Sequence, residues 1–234
     1  MRAFFVFVSL LVLYCSGFAT IADAVIIYTY DFPGNPGSGL AVSQTNLQPA
    51  NGTFGDFTRV NVIAAGGTDI FGSSSWNTTG IIDSTEYEGF SITTSAGYHL
   101  ELTDLAFEVR TSASGVGNGR VALFINGSAT AAATFDYSPT VTLTAHSFDF
   151  TDLTAADNAT SVEFRFYGWN AGGNGSQLFL DNVATSGVIT NVPEFEPAWV
   201  ASVVIVLSLF FEHRRGKRRG KRRPAPSENF ALHN

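Results

Sequence analysis

The stretch Val162-Glu163-Phe164-Arg165-Phe166-Tyr167 alternates Val, Phe and Phe with Glu, Arg and Tyr. Successive side chains of an extended chain point to opposite faces of a sheet, so this stretch predicts a strand with one face in an apolar core. The run Leu100–Val109 alternates in the same way, but its phase slips at Asp104, as a β-bulge would make it. Asn126-Gly127 follows the alternating run Val121–Ile125 and is a strong hairpin signal.

Further runs of this kind recur along the chain, separated by short segments rich in Gly, Asn and Ser. They lie at residues 25–30, 60–64, 90–94, 128–135, 141–150 and 178–189. Eight to ten short strands without a convincing soluble helix predict an all-β protein, a single antiparallel β-sandwich of the jelly-roll type over residues 25–189. The sequence has no internal repeat of fixed period, which argues against a solenoid or a propeller.

The first 24 residues have the pattern of a secretory signal peptide. An apolar core, Ala3–Tyr14, precedes Ala22 and Ala24, which occupy the small-residue positions of a signal-peptidase site. Cleavage before Val25 would remove Cys15, the only cysteine of the chain. The mature protein would then have no disulfide and would depend on its core for stability.

The C-terminal region has the pattern of a membrane anchor. Residues 198–211 are apolar, with Trp199 near one end, and eight Lys and Arg residues follow between positions 214 and 223. Fourteen residues are a minimal transmembrane helix, since a bilayer core needs about 17 to 20. The positive-inside rule places the tail, residues 212–234, in the cytoplasm and the sandwich outside.

A short acidic and proline-containing linker, residues 190–197, precedes this helix. Val192, Pro193, Glu194 and Pro197 lie in it, and Phe195 stands between the acidic residues. Motif, helix and basic cluster together resemble the PEP-CTERM sorting signal of bacterial exported proteins, in which a second proline usually occupies the place of Phe195. The resemblance implies export to the cell envelope and processing by an exosortase-like membrane enzyme.

The charge distribution excludes one class of partner. Residues 25–197 contain 17 Asp and Glu, four Arg and no Lys, so the acidic body carries about thirteen negative charges more than positive ones. Binding to nucleic acid depends on neutralising phosphates with Lys and Arg, so no nucleic-acid partner is expected. An acidic surface can serve solubility alone or can attract divalent cations.

Three aromatic residues are candidates for carbohydrate binding. Tyr167 and Trp169 precede Asn170 and a glycine-rich segment, which predicts a flexible loop that presents two rings, and Trp76 stands between Ser75 and Asn77. Exposed rings can stack on sugars while neighbouring amides bind hydroxyl groups. The alternative is that these rings pack the rim of the sandwich.

Asp31 and Asp181 are the candidate metal ligands. Asp31 follows the first predicted strand and Asp181 lies in the last, as do aspartates of a structural calcium site in jelly-roll carbohydrate-binding modules, which this arrangement resembles. Carboxylate oxygens suit calcium. The alternative is a structural role in a turn, and no other cofactor is expected.

Catalytic chemistry leaves little trace, and no catalytic residue is predicted. His99 and His146 lie in strand-like runs, without a nucleophile elbow or metal-ligand spacing, and are expected to face solvent. Glu86 and Glu88 would share a face of an extended segment and are the one acid and base pair that a polysaccharide hydrolase could use.

The sequence thus predicts a non-enzymatic exported protein of the bacterial envelope or extracellular matrix, with a structural or adhesive role. The first alternative is a carbohydrate-binding module that acts on exopolysaccharide. A polysaccharide hydrolase is a further alternative. Five Asn-x-Ser/Thr triplets also leave open a eukaryotic type I membrane glycoprotein, although a cysteine-free extracellular domain argues against it.

Overall fold

A computed structural model describes residues 25–37 and 49–192 of the chain. They belong to one compact unit that ends at Val192. The predicted signal peptide, the transmembrane helix, the basic tail and the motif residues Pro193, Glu194 and Pro197 lie outside the described residues. Within the described ranges, no helix is long and apolar enough to cross a membrane.

The described chain forms thirteen strands and one turn of 3₁₀ helix, Thr154–Ala156. The strands are β1 Val25–Tyr30, β2 Pro36–Gly37, β3 Gly52–Phe54, β4 Thr58–Val60, β5 Ile63–Ala64, β6 Ile70–Ser74, β7 Tyr87–Thr94, β8 Tyr98–Thr111, β9 Val116–Ile125, β10 Ala133–Tyr137, β11 Thr144–Asp149, β12 Ser161–Ala171 and β13 Gln177–Asn191.

These strands form two sheets, which confirms the predicted all-β sandwich architecture. Sheet 1 has the order β11-β8-β13-β6-β2, with β1 beside β13 and β5 beside β6. Sheet 2 has the order β10-β9-β12-β7-β3, with β4 beside β7. Every pairing is antiparallel except that of β2 with β6.

The core lies between the inner faces of the two sheets and is rich in aromatic rings. Phe164 and Phe166 of β12 are completely buried, as the alternation predicts. Phe166 meets Phe107 of the opposite sheet edge to face, with ring centroids 5.1 Å apart. Phe57 lies 5.8 Å from Phe166 and also contacts the rings of Tyr30, Phe32, Phe71 and Phe90. Such ring pairs add to the stabilisation that burial of apolar area provides.

The phase slip predicted at Asp104 is a β-bulge. Ser186 pairs with Asp104 and Gly187 with Leu102, so Thr103 has no residue opposite it. Leu100, Leu102, Leu105, Phe107 and Val109 are all buried, because the extra residue restores the inward phase.

Some predicted strand boundaries are wrong. The run 60–64 is not one strand, because Asn61 adopts a positive φ of 54° and separates β4 in sheet 2 from β5 in sheet 1. The turn at Asn126-Gly127 forms with both φ values positive, as expected, but the returning strand begins at Ala133 rather than at residue 128. Small residues, three of them alanine, occupy the intervening loop at 128–132.

Candidate functional site

The outer face of sheet 2 carries a group of aromatic and charged side chains. Since Val162, Phe164 and Phe166 point into the core, the alternating residues of β12 point outward. Those residues are Glu163, Arg165, Tyr167 and Trp169, and the register of β12 sets Trp169 beside Asn118 of β9.

Trp169 is half-buried and lies beside an ion pair. The Arg120 guanidinium contacts Asp136 through two hydrogen bonds, Nε to Oδ1 at 2.5 Å and Nη2 to Oδ2 at 2.9 Å. Its Cζ atom lies 5.8 Å from the centroid of the Trp169 ring. The hydrogen bond raises the pKa of Arg120 and lowers the pKa of Asp136. Both groups are therefore charged at neutral pH. Trp169, Arg120, Asp136 and Asn118 are called the tryptophan site below.

A neighbouring loop fixes the end of β12 at this site. The backbone N–H of Asn170 donates to the Thr79 carbonyl at 2.9 Å, and that of Ala171 donates to the Asn77 carbonyl at 3.1 Å. Asn170 has a φ of 56°, a left-handed conformation that asparagine tolerates better than most residues. The prediction of a flexible loop over residues 167–175 is thus wrong for residues 167–171, since they belong to β12 and both aromatics lie on a strand.

A second group on the same face is covered by loops. Arg165 makes two hydrogen bonds to Glu163, and its Cζ lies 4.2 Å from the Phe124 ring and 4.7 Å from the Tyr87 ring. Tyr167 belongs to this group and is buried in a cluster with Ala122 and Phe124, against which Ile82 and Ala131 pack. Burial raises the pKa of Tyr167. The prediction that Tyr167 presents an exposed ring is therefore wrong.

Trp76 is a core residue. Its indole is 1% exposed, and its Nε1 donates to the carbonyl of Ser73 at 3.0 Å. Gly168 makes room for the ring, since a Cβ atom there would come within 3.1 Å of it. A polysaccharide outside the protein cannot reach this ring, so the prediction for Trp76 is wrong. Its residue type and neighbours gave no sign of which side it faces.

Glu86 and Glu88 do not form an exposed pair. Glu86 lies in the turn before β7, whereas Glu88 is completely buried between the sheets. Ser73 of sheet 1 donates its hydroxyl hydrogen bond to Glu88 Oε1, and Arg59 Nε donates to Ser73 Oγ at 2.9 Å. The shared outward face that a hydrolase would require is absent from this part of the described chain. Arg59, Ser73, Glu88 and Tyr137 are called the interior cluster below.

Burial dominates the electrostatics of the interior cluster. It raises the pKa of Glu88 to about 8, although the hydrogen bond from Ser73 and the charge of Arg59 oppose the change. Burial also lowers the pKa of Arg59. The pKa of Tyr137 is raised by burial and by the charge of Glu88. The Tyr137 ring lies over Gly119, where a Cβ atom would come within 2.2 Å of the ring.

The histidines also differ from expectation. His146 is half-buried, and its ring lies 5.5 Å from Phe107 and 5.4 Å from Tyr137. His99 is half-buried too, and its Nε2 lies 2.6 Å from the hydroxyl of Thr190. Both rings therefore contribute to packing or hydrogen bonding at a strand, and the expectation of solvent-facing side chains is wrong.

Asp31 and Asp181 are far apart in the sequence, and the fold brings the strands beside them together. The pairing of Tyr30 with Val183 brings the end of β1 beside this part of β13. Burial raises the pKa of Asp181, and the charges of Glu108, Asp31 and Asp69 raise it further. No group of three or more His, Cys, Asp or Glu in residues 25–37 and 49–192 has the arrangement of a metal site.

No family model matches the chain, and a comparison with curated proteins gives no match. Solved structures with some likeness include carbohydrate-binding modules. A family 29 module from Piromyces equi has 10% identity and a TM-score of 0.38, with 71% of this chain and 93% of that chain covered. A module described for mannan recognition has 12% identity and a TM-score of 0.36, with coverage of 71% and 99%. A family 11 module from Clostridium thermocellum, in complex with a β-1,3-1,4-mixed-linked tetrasaccharide, has 13% identity and a TM-score of 0.32, with coverage of 62% and 94%.

Proposed function

We propose that the β-sandwich binds carbohydrate at the tryptophan site on the outer face of sheet 2. The observation that carries the proposal is the position of Trp169, a half-buried indole on a rigid strand beside the ion pair of Arg120 and Asp136. The apolar C–H face of a sugar can pack on an indole, and its hydroxyl groups can bind a carboxylate, a guanidinium or an amide. A few fixed polar groups beside an apolar surface are typical of ligand sites.

The charge balance of the site favours a neutral glycan. Arg120 is neutralised by Asp136, and Arg165 on the same face is neutralised by Glu163. The body around them is strongly acidic, so an anionic polysaccharide would be repelled at low ionic strength. A neutral exopolysaccharide is therefore the proposed class of ligand.

The experiment is an affinity measurement of the purified full chain against a panel of neutral and acidic polysaccharides. Trp169→Ala should weaken binding of the neutral ligand at least about tenfold, which is roughly 1.4 kcal/mol. Tyr98→Ala is the matched control, because Tyr98 is also half-buried at a strand but lies in sheet 1. Absence of binding across the panel, or equal losses in both variants, would refute the proposal.

We also propose the localisation and processing that the sequence predicts. The protein is exported, is anchored by residues 198–211 and is processed by an exosortase-like enzyme at the motif of Val192, Pro193, Glu194 and Pro197. Support comes from the sequence pattern alone. Mature protein recovered from cell envelopes should begin at Val25, and N-terminal sequencing tests this. A mature N-terminus at Met1 or Cys15 would contradict the proposal.

A further inference from the structure

Ser73 and Glu88 face each other across the interior of the sandwich. Ser73 lies on β6 of sheet 1 and Glu88 on β7 of sheet 2, and neither is exposed to solvent. The Ser73 hydroxyl donates a hydrogen bond to Oε1 of Glu88. A nucleophilic oxygen and a carboxyl group are thus held in contact in a water-excluded place.

The carboxyl group is in the form that can be attacked. With a pKa raised to about 8 by burial, Glu88 is mainly a neutral carboxylic acid at pH 7. A neutral acid is an acyl electrophile, whereas a carboxylate resists attack because of its charge. The electrostatic environment of Glu88 therefore favours acyl transfer to a neighbouring hydroxyl group.

Arg59 lies beside Ser73, close enough for its charge to act on Glu88. Its Nε donates to Ser73 Oγ at 2.9 Å and to the Gly72 carbonyl at 3.0 Å, and its positive charge acts on Glu88. A fixed cation beside a carbonyl group under attack stabilises the negative charge that forms on its oxygen.

The second carboxyl oxygen is not retained by hydrogen bonds. Oε2 of Glu88 is buried and has no hydrogen-bond partner within residues 25–37 and 49–192, and the same holds for the hydroxyl of Tyr137. Buried polar atoms normally have partners, so both orphans require an explanation. If Oε2 of Glu88 left the protein, one of these two unpaired buried atoms would be removed.

We propose that Ser73 and Glu88 condense to an ester that links the two sheets covalently. Ser73 Oγ attacks Cδ of the neutral Glu88 acid, and the hydroxyl proton passes to a carboxyl oxygen. The bond between Oγ and Cδ forms, the bond between Cδ and Oε2 breaks, and Oε2 leaves as water with two protons. No oxidation occurs, and no co-reactant is consumed.

Proximity lowers the barrier to the reaction inside the fold. Well-oriented groups within one molecule reach effective concentrations of roughly 10⁵–10⁸ M, which is far above the molarity of liquid water. Hydrolysis of the ester needs water at the same place, and both residues are fully buried. The link also replaces what a disulfide would supply, because residues 25–192 contain no cysteine.

The test is mass spectrometry of the purified full chain. The intact mass should be lower than the sequence mass by one water molecule. Chymotrypsin, which cuts after aromatic residues, should release peptide 72–76 joined to peptide 88–90, and hydroxylamine should separate the two. Ser73→Ala and Glu88→Leu should each show the full mass of their own sequence, while Glu86→Gln keeps the loss.

Two results would overturn the proposal: separate peptides 72–76 and 88–90 in the unmodified chain, or water loss that persists in Ser73→Ala. The peptide map of the unmodified chain decides the question even if the variants fail to fold. Its result is independent of whether the tryptophan site binds carbohydrate.

Discussion

The interior cluster and the outer face of sheet 2 both set arginine beside a carboxylic acid, yet the pKa shifts have opposite signs. Inside, burial raises the pKa of Glu88 and lowers the pKa of Arg59, so each charged form is disfavoured. Outside, mutual hydrogen bonding raises the pKa of Arg120 and lowers the pKa of Asp136, so each charged form is favoured.

Residue type alone therefore does not decide the chemistry of these groups. At Glu88, the free energy lost when the charged group leaves water exceeds the free energy gained from the attraction of one ionic neighbour. In an exposed pair, solvent stabilises both charges. The outer pair suits recognition of a polar ligand. The interior group suits chemistry of a neutral acid.

The largest expected effect is a difference in the free energy of unfolding between variants of these two regions. Glu88→Ala should lower the free energy of unfolding by about 3 kcal/mol or more, because it leaves a cavity beside the buried Ser73 and half-buried Arg59. Glu163→Ala, which breaks a partly exposed pair, should cost less than about 1 kcal/mol. Urea unfolding of both variants measures the difference. Similar losses would contradict the comparison.

The next effect concerns pH and uses Ser73→Ala, which cannot form the ester. Burial raises the pKa of Glu88 from its ordinary value of 4.5 to about 8 in the folded chain with Ser73 present. Since the native state holds its proton more tightly, the stabilisation is fully present below pH 4.5 and is lost as the pH rises through 8. Removal of the Ser73 hydrogen bond raises the folded pKa further.

The control for this titration is the double variant with Ser73→Ala and Glu88→Gln, whose amide cannot ionise. Its unfolding free energy should lack the decline that the single variant shows between pH 4.5 and 8. Equal slopes in the two proteins would show that Glu88 is not the group that titrates.

A smaller effect is expected at the tryptophan site. Arg120→Ala should weaken glycan binding by about 1 kcal/mol, since one charged donor is lost and Asp136 loses its partner. Arg110→Ala is the matched control, because Arg110 lies over the Phe179 ring at 4.1 Å in sheet 1. Titration calorimetry of both variants distinguishes them, and a loss shared by Arg110→Ala would point to a global effect.

The smallest effect tests the calcium prediction for Asp31 and Asp181. Calcium at a concentration equal to its dissociation constant would stabilise the fold by about 0.4 kcal/mol. The melting temperature should therefore rise slightly in calcium, less in magnesium, and not in Asp181→Asn. Identical melting curves of the unmodified chain in calcium and in EDTA would remove the site.

Local sequence predicted the strands well where alternation is strict. The run 162–167 and the slip near Asp104 appear as expected, because inward and outward directions follow from the pleat of a strand. It failed where a single residue turns the chain, as at Asn61, whose positive φ sends the following residues to the other sheet. A single asparagine in a sequence does not by itself indicate a left-handed backbone conformation.

By itself, the sequence determined the alternation that makes a sandwich, the acidic and cysteine-free body and the pattern of an exported, anchored chain. Only the tertiary structure decided that Trp169 faces outward while Trp76 is enclosed, and that Tyr167 is buried in a cluster on the outer face of sheet 2. It alone brought Ser73 to Glu88, since contacts between sheets depend on how the two faces pack. Alternation sets which face of its own strand a side chain occupies, but packing sets what that face meets.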